Sequence, residues 1–288
     1  MLTDTEVAPT VTQFTDPMCT WCWGSEPVLR HLQVAYGEQI EFEFVMGGLI
    51  EDWDEFYDAR NDISTPADVI PHWAEAVETH GMEMDPAVLE SNPPQSTYPA
   101  NIAFEAARLV DPERAHRYLR RLREDYATKG VNVSARDTQV AIAADVGIET
   151  GAFVDALESG RAREAFEQDR QRLHEAGVRS FPTYRVDGPN GREMVAGFQS
   201  FEDLAGTLDA VAPDLDRQEP RSIRHFVATY GPVATQEVAE VFDFTHGKAT
   251  QVLDTLVADG VLRADDRGAG GIFWEFDGDS SLVTKRAL

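Results

Sequence analysis

The chain has 288 residues, 42% of them hydrophobic, enough to bury a core as one large domain or two smaller ones. Two cysteines exclude a disulfide scaffold, and no apolar run approaches the ~18 residues of a membrane helix. Acids outnumber bases 51 to 25, a formal net charge of −26, which points to a salt-adapted surface, with a single acidic protein of an ordinary mesophile as the plainer alternative.

The start, MLTDTEVAPT, lacks a basic segment followed by an apolar run, so no signal peptide is expected and the expected setting is cytoplasmic. Residues 9–14 suggest a short strand. Apolar residues at Val28, Leu29, Leu32 and Ala35 have helical spacing, so a helix is expected from Cys22 to Ala35, ending at Gly37. In IEFEFVMGG, residues 40–48, Ile40, Phe42, Phe44 and Met46 alternate onto one face of a strand. The helix between the two strands favours parallel pairing. A helical stretch follows, with starts at Pro99 and Pro112 and N-caps expected at Ser134 and Thr150. Strands return at PTYRV and REMVAG, joined by the turn DGPNG, and FQSFEDLAGTLDAV reads as a helix. APDLDRQEP, residues 212–220, is the best linker. Beyond it come three short helices and two strands joined by RGAGG, a winged-helix arrangement. Residues 221–288 hold 7 bases and 10 acids, leaving 18 bases and 41 acids before the linker. The first domain therefore carries most of the self-repulsion. Its melting temperature is expected to rise between about 0.1 M and about 3 M KCl as the screening length shrinks; an unchanged melting curve would reject salt adaptation.

DPMCTWCWG, residues 16–24, holds both cysteines, Cys19 and Cys22. Four readings compete: a metal half-site, a structural disulfide, a redox-active dithiol and plain burial. No second CxxC and no paired histidine spacing completes a zinc site, so no metal is expected. Redox chemistry is the favoured reading. Cys19 at the first turn of a helix would have its thiol lowered by free N–H groups and the helix dipole, and Cys22, one turn on, would resolve a mixed disulfide. Met18, Trp21 and Trp23 are candidates for an apolar rim; core packing is the equal alternative for Trp23. In RSFPTY, Pro182 stands where a strand begins, which reads as an ordinary turn proline.

DPMCTWCWG, EFEFVMGG, the helical stretch and the FPT hairpin together resemble the DsbA-like thioredoxin-fold family, and within it the FrnE-type subgroup described as protein disulfide isomerases. The resemblance covers residues 8–212. It implies a thioredoxin-like α/β fold with a large helical insertion at about 50–178. A small winged-helix-like α+β domain, 221–288, would follow the first domain, 1–212. It further implies that Pro182 is cis and faces the dithiol, that Cys19 is the nucleophile, and that Phe181 and Thr183 line the substrate groove. Gln13 stands where thioredoxins bury an acid; Glu26 is the candidate substitute for proton transfer, against the plainer reading of a solvated face.

The expected function is a thiol–disulfide oxidoreductase without a cofactor, acting on protein or small-molecule thiols and disulfides. One rival is an enzyme like the kappa-type glutathione transferases, against which the retained CxxC argues. Another is a redox-responsive DNA-binding regulator. The expected recognition helix offers only Lys248 and His246 beside Asp254 and Asp259, a poor footprint for nucleic acid. Dimerisation or substrate docking is the favoured role for the last domain.

Overall fold

The computed structural model describes residues 8–277, so the outer ends of both expected domains lie outside the described residues. Strand β1 (Thr10–Thr15) runs into the dithiol turn and helix α1 (Thr20–Gly24). Helix α2 (Glu26–Tyr36) continues almost without a break. The single expected helix divides at Ser25 because Pro27, in the first turn of α2, has no N–H to donate back into α1. Strand β2 (Glu41–Met46) then pairs with β1 in parallel, Thr10 opposite Glu41 and Thr15 opposite Met46.

Helices α3 (Ile70–His80), α4 (Ala87–Ser91), α5 (Tyr98–Val110), α6 (Pro112–Thr128), α7 (Arg136–Asp145), α8 (Thr150–Glu158) and α9 (Arg161–Glu175) fill the space before the sheet resumes. The short α4 has no periodic signature and escapes a reading of the sequence. Two expected caps shift by one residue. Glu149, not Thr150, caps α8, its carboxylate accepting from Gly151 and Ala152 N–H at 2.8 and 2.6 Å. Ala135 stands at the N-cap of α7, and the Ser134 hydroxyl donates instead to the Ser96 carbonyl at 2.6 Å.

Strands β3 (Thr183–Gly188) and β4 (Gly191–Ala196) form the expected hairpin, and β3 pairs antiparallel with β1. The sheet order is β2-β1-β3-β4. Helix α10 (Phe201–Val211) starts at a capping box formed by Ser200 and Asp203. This is a thioredoxin-like α/β core with a large helical insertion. Both faces of its central strands are covered. Phe44 and Met46 join the main core, while Val45, on the opposite face, packs with Phe14 and Val178. The alternation in β2 sets which way each side chain points: on the face that Val45 shares, Glu41 stays exposed and Glu43 pairs with Arg172 at 2.6 Å.

Residues 212–220 are tied down. The Gln39 side chain brackets the Asp216 backbone, donating to its carbonyl and accepting from its N–H, both at 2.8 Å; Gln218 N–H donates to the Ala35 carbonyl at 2.7 Å. A distinct α+β module follows: α11 (Ile223–Tyr230), β5 (Val233–Ala234), α12 (Thr235–Val241), α13 (His246–Ala258), β6 (Leu262–Asp266) and β7 (Ile272–Phe276). Its sheet runs β5-β7-β6. The two-residue β5 is too short for a strand pattern and was not expected.

The module is not loosely appended. Phe273 and Ala234 are buried in the main core cluster, and Val34 of α2 packs into the module's own cluster. Gly270, in the β6–β7 connection, lies so close to α6 that a Cβ there would sit 2.0 Å from the Thr128 carbonyl oxygen. Only glycine permits that approach. Among the described residues no helix is long and apolar enough to cross a membrane.

Candidate functional site

The β1–α1 turn brings the two thiols together at the start of the first helix. Cys19 is the N-cap of α1, and its sulfur accepts the Cys22 N–H at 3.3 Å. Both thiols are free and almost sealed from solvent, 4% exposed for Cys19 and 0% for Cys22. Asp16 anchors the turn. It is fully buried and accepts from Met18 and Leu49 N–H, the Thr97 hydroxyl and the Asn101 amide at 2.7 to 2.8 Å. Burial nonetheless raises its carboxyl above the usual range. The buried acid missing at position 13 is thus present at position 16. Gln13 itself holds the Tyr184 hydroxyl at 3.1 Å.

Beneath Cys22 lies Arg123 of α6, 1% exposed. Its guanidinium donates to Gln13 at 2.9 Å, Thr15 at 2.5 Å and Glu26 at 2.5 Å. This placement adds a buried cation to the helix start as an influence on the pair. Desolvation by burial pushes Cys19 well above its ordinary value, and Cys22 and Asp16 add to the rise. Burial also opposes ionisation of Cys22, but the hydrogen bond from Cys19 and the Arg123 charge outweigh it and hold Cys22 below its ordinary value. The helix start was the only electrostatic source visible in the sequence. The decisive cation comes from a helix about a hundred residues away.

Glu26, considered for proton transfer or a solvated face, is neither free nor solvated. It is 3% exposed, paired with Arg123 and 3.6 Å from Arg120. Burial alone would raise its carboxyl; Arg123 and Arg120 reverse this and hold it below the usual range, so it is a poor proton carrier. The chain of charges continues from Arg120 to Glu237 of α12 at 2.8 Å and from Glu237 to Arg30 at 3.7 Å. A buried ionic path therefore runs from below the dithiol to the C-terminal module.

Of the residues expected to line a groove, Trp21 alone is exposed, at 37%. Its ring meets His80 edge-on at 5.8 Å and Phe198 at 6.2 Å, forming an aromatic rim. Met18 is buried in the core. Trp23 is 2% exposed, stacks on Phe273 of the module at 6.4 Å and lies under Arg120, so the core reading is the right one for it. The Phe181–Pro182 bond is cis, as the resemblance implied. Pro182 and Thr183 are buried, and Phe181 is half-buried against Phe14, Val45 and Val178. Thr183 donates its hydroxyl to the Ser180 carbonyl at 2.8 Å. Among the described residues no cluster of histidine, cysteine and carboxylates suits a metal.

His80, Phe198, Arg123 and Glu237 were not singled out in the sequence. His80 carried no signal, because burial between α1 and the rim, which lowers its imidazole to about 4, is a tertiary property. The burial pattern carries a test of thiol access. Alkylation by iodoacetamide is expected to be at least about tenfold slower in the folded protein than in urea, because a buried thiol reacts only on opening, with the first adduct on Cys19, because it is the less buried of the two and access outweighs its raised thiol. Peptide mapping that finds Cys22 modified first would overturn the orientation of the pair.

Comparison with known proteins separates fold from family. A sequence profile of the thioredoxin family matches residues 13–204. The ClpXP adapter protein SpxH of Halalkalibacterium halodurans is 32% identical over 267 residues, covering 91% of this chain and 87% of that protein. The chain belongs to the SpxH family. The SpxH adapter of Shouchella clausii is 29% identical over 91% of this chain and 87% of its own length; that of Bacillus subtilis is 23% identical over the same shares.

Solved structures share the fold alone. A Nitrosomonas europaea protein provisionally named a protein disulfide isomerase superposes with a TM-score of 0.61 at 23% identity, covering 70% of this chain and 97% of its own. The cytosolic disulfide reductase DsbM of Pseudomonas aeruginosa gives 0.53 at 18%, covering 71% and 94%.

These findings correct the expected placement in the FrnE-type subgroup of DsbA-like proteins. They equally correct the expected oxidoreductase or isomerase enzyme and its thiol and disulfide partners. The SpxH relatives are named as adapters of a protease, not as oxidoreductases. The thioredoxin-like fold does not separate the two, because a fold does not dictate its use.

Proposed function

We propose that the protein is an adapter that presents client proteins to a ClpXP-type protease, with the dithiol as its redox-sensitive element. One observation carries this reading: the 267-residue match to an SpxH adapter is too long to be contained in the core, residues 8–212, and so extends into the C-terminal module. The disulfide-handling structures account for about 70% of the chain. An adapter needs two contact regions, one for the client and one for the protease, and the chain supplies a core and a module locked together. We place the client contact at the Trp21, His80 and Phe198 rim, where an exposed aromatic anchor lies beside the buried thiols.

The module is proposed to have winged-helix architecture, with α11, α12 and α13 followed by the β6–β7 wing, serving protein contact rather than DNA. The wing cations are already engaged: Arg263 with Glu275, and Arg267, 6% exposed, with Glu124 of the core at 2.8 Å. On α13, Lys248 stands on the same helix as Asp254. A duplex backbone would meet few free positive charges there.

The test is a substrate trap. A proteolytically inactive ClpP from the host retains what ClpX delivers. The retained set is expected to lose specific proteins when this chain is deleted, and again with Trp21→Ala. Identical retained sets with and without the protein would sink the adapter reading.

A further inference from the structure

Strand β4 lies at the edge of the core sheet, and among the described residues no strand pairs with its outer side. Its register against β3 runs unbroken from Gly191, opposite Gly188, to Ala196, opposite Thr183. Just past the strand, the Gly197 N–H donates to the carbonyl of Pro182, the residue opposite it, at 2.8 Å. In an antiparallel ladder such bonded pairs alternate with unbonded ones. Gly191, Glu193 and Val195 therefore bond inward to β3, while Arg192, Met194 and Ala196 turn their N–H and carbonyl groups outward. The Ala196 carbonyl accepts the Gln199 amide at 3.0 Å. The outward groups of Arg192 and Met194 and the Ala196 N–H meet no backbone partner among the described residues.

Edge strands are commonly blunted by proline, lysine, a bulge or a covering segment. GREMVA, residues 191–196, has no proline and no lysine, and its register has no bulge. Arg192 is engaged by Asp187 at 2.5 Å, and Met194, in mid-strand, is 41% exposed. The strand runs toward the dithiol end of the sheet. Two residues beyond it stands Phe198, whose ring meets Trp21 and His80 at 6.2 Å each. Open edge and aromatic rim are thus one continuous surface.

We propose that β4 receives an extended segment of the client as a fifth strand, which leads the client chain into the Trp21, His80 and Phe198 rim. The inference rests on the adapter reading and deepens it by naming how the client is held. Main-chain hydrogen bonds to the edge supply affinity with little demand on sequence, and the rim supplies a pocket for an apolar side chain. An apolar residue is favoured opposite Met194, as a cross-strand neighbour. Glu193 is exposed on the same strand and the whole chain carries −26, so a neutral or basic segment is favoured. A second copy of this chain would bring two such charges together.

The test compares wild type with Met194→Pro and Met194→Ala. A client identified in the inactive-ClpP trap and then purified serves as the probe; its capture alone decides nothing. In hydrogen exchange at constant KCl, the client is expected to slow the outward Arg192, Met194 and Ala196 amides at least about tenfold. The inward Glu193 and Val195 amides, already bonded to β3, should change much less. This measurement needs no variant. Met194→Pro removes an outward N–H and spares the ladder to β3, so its urea melt should stay close to wild type. It is expected to weaken client binding at least about tenfold, and Met194→Ala, which keeps the backbone donor, to weaken it less. Unchanged exchange at the outward amides, or equal affinity in wild type and Met194→Pro, overturns the proposal and leaves the adapter reading standing. A dimer in sedimentation that Met194→Pro dissolves gives the edge to a second copy and overturns it as well. If deletion of the chain leaves the trapped set unchanged, the adapter reading fails and strand addition by a client fails with it.

Discussion

Replacement of Glu237 by alanine is expected to destabilise the protein by about 3–5 kcal/mol, the usual cost of breaking a buried ion pair from one side. Glu237 is fully buried, accepts Arg120 at 2.8 Å, lies 3.7 Å from Arg30 and takes the Ala234 N–H at 2.7 Å to start α12. Without it, two buried guanidinium groups keep their charge and lose their shared partner, and the helix loses its cap. The positive charge cannot be shed, because arginine does not deprotonate in the accessible range. The substitution should therefore loosen the module from the core as well as weaken α12. Urea melts at constant KCl measure the loss, urea being preferred to guanidinium because it does not screen charge. Limited proteolysis should show faster cleavage within residues 212–220, whose hydrogen bonds to Gln39 and Ala35 depend on the module staying seated. A loss below about 1 kcal/mol would place this network among surface-like pairs and reject the lock.

Arg123→Met is expected to raise the Cys22 thiol and to cost about 3 kcal/mol, the lower end for a broken buried pair, since Glu26 keeps Arg120 at 3.6 Å. The thioether occupies much of the space of the guanidinium stem but supplies no charge to Thr15, Gln13 or Glu26. The pH dependence has a definite sign. Burial raises Cys22, but the Cys19 hydrogen bond and Arg123 together lower it below the ordinary 9.0 in the folded protein. A group depressed in the folded state adds stability above its unfolded value and loses it as pH falls through the folded value. Wild type should thus gain on Arg123→Met as pH rises toward 9.0, and the gap should narrow as pH falls below the folded thiol value. Thiolate ultraviolet absorbance against pH reads the titration directly, and urea melts at each pH read the linkage. Coincident titration curves in the two proteins would show that Arg123 does not act on the thiol.

The two variants separate what the buried network does at each end. Glu237 holds the module, and Arg123 sets the charge at the dithiol. Glu26 and Arg120 join them, so the ion pairs from Arg123 to Glu237 are contiguous and buried, out of reach of screening by salt. This continuity is the physical support for reading the dithiol as an element that can report to the module.

The strands at β1, β2, β3 and β4, most helix spans and the dithiol turn were legible in the chain, because each depends on local periodicity, glycine and proline placement, or near neighbours. Phe42, Phe44 and Met46 carry period two; Val28, Leu29 and Leu32 carry helical spacing. The fold class followed from those elements and from the resemblance they carried. Family and use did not follow, since the fold that these elements build does not dictate its use.

What only the tertiary structure decided is the environment of each charged and aromatic side chain. Glu26, one turn past Cys22, looks solvated in the sequence and is buried by α6 and α12. Trp21 and Trp23 stand two residues apart, yet one forms an exposed rim and the other is buried between core and module. Burial and the Arg123 charge act on the Cys19 and Cys22 thiols in addition to the helix start. Sequence periodicity specifies which face a residue occupies. Coulomb energy and burial depend on what packs against that face, and here the packing partners come from α6 and α12, far away along the chain.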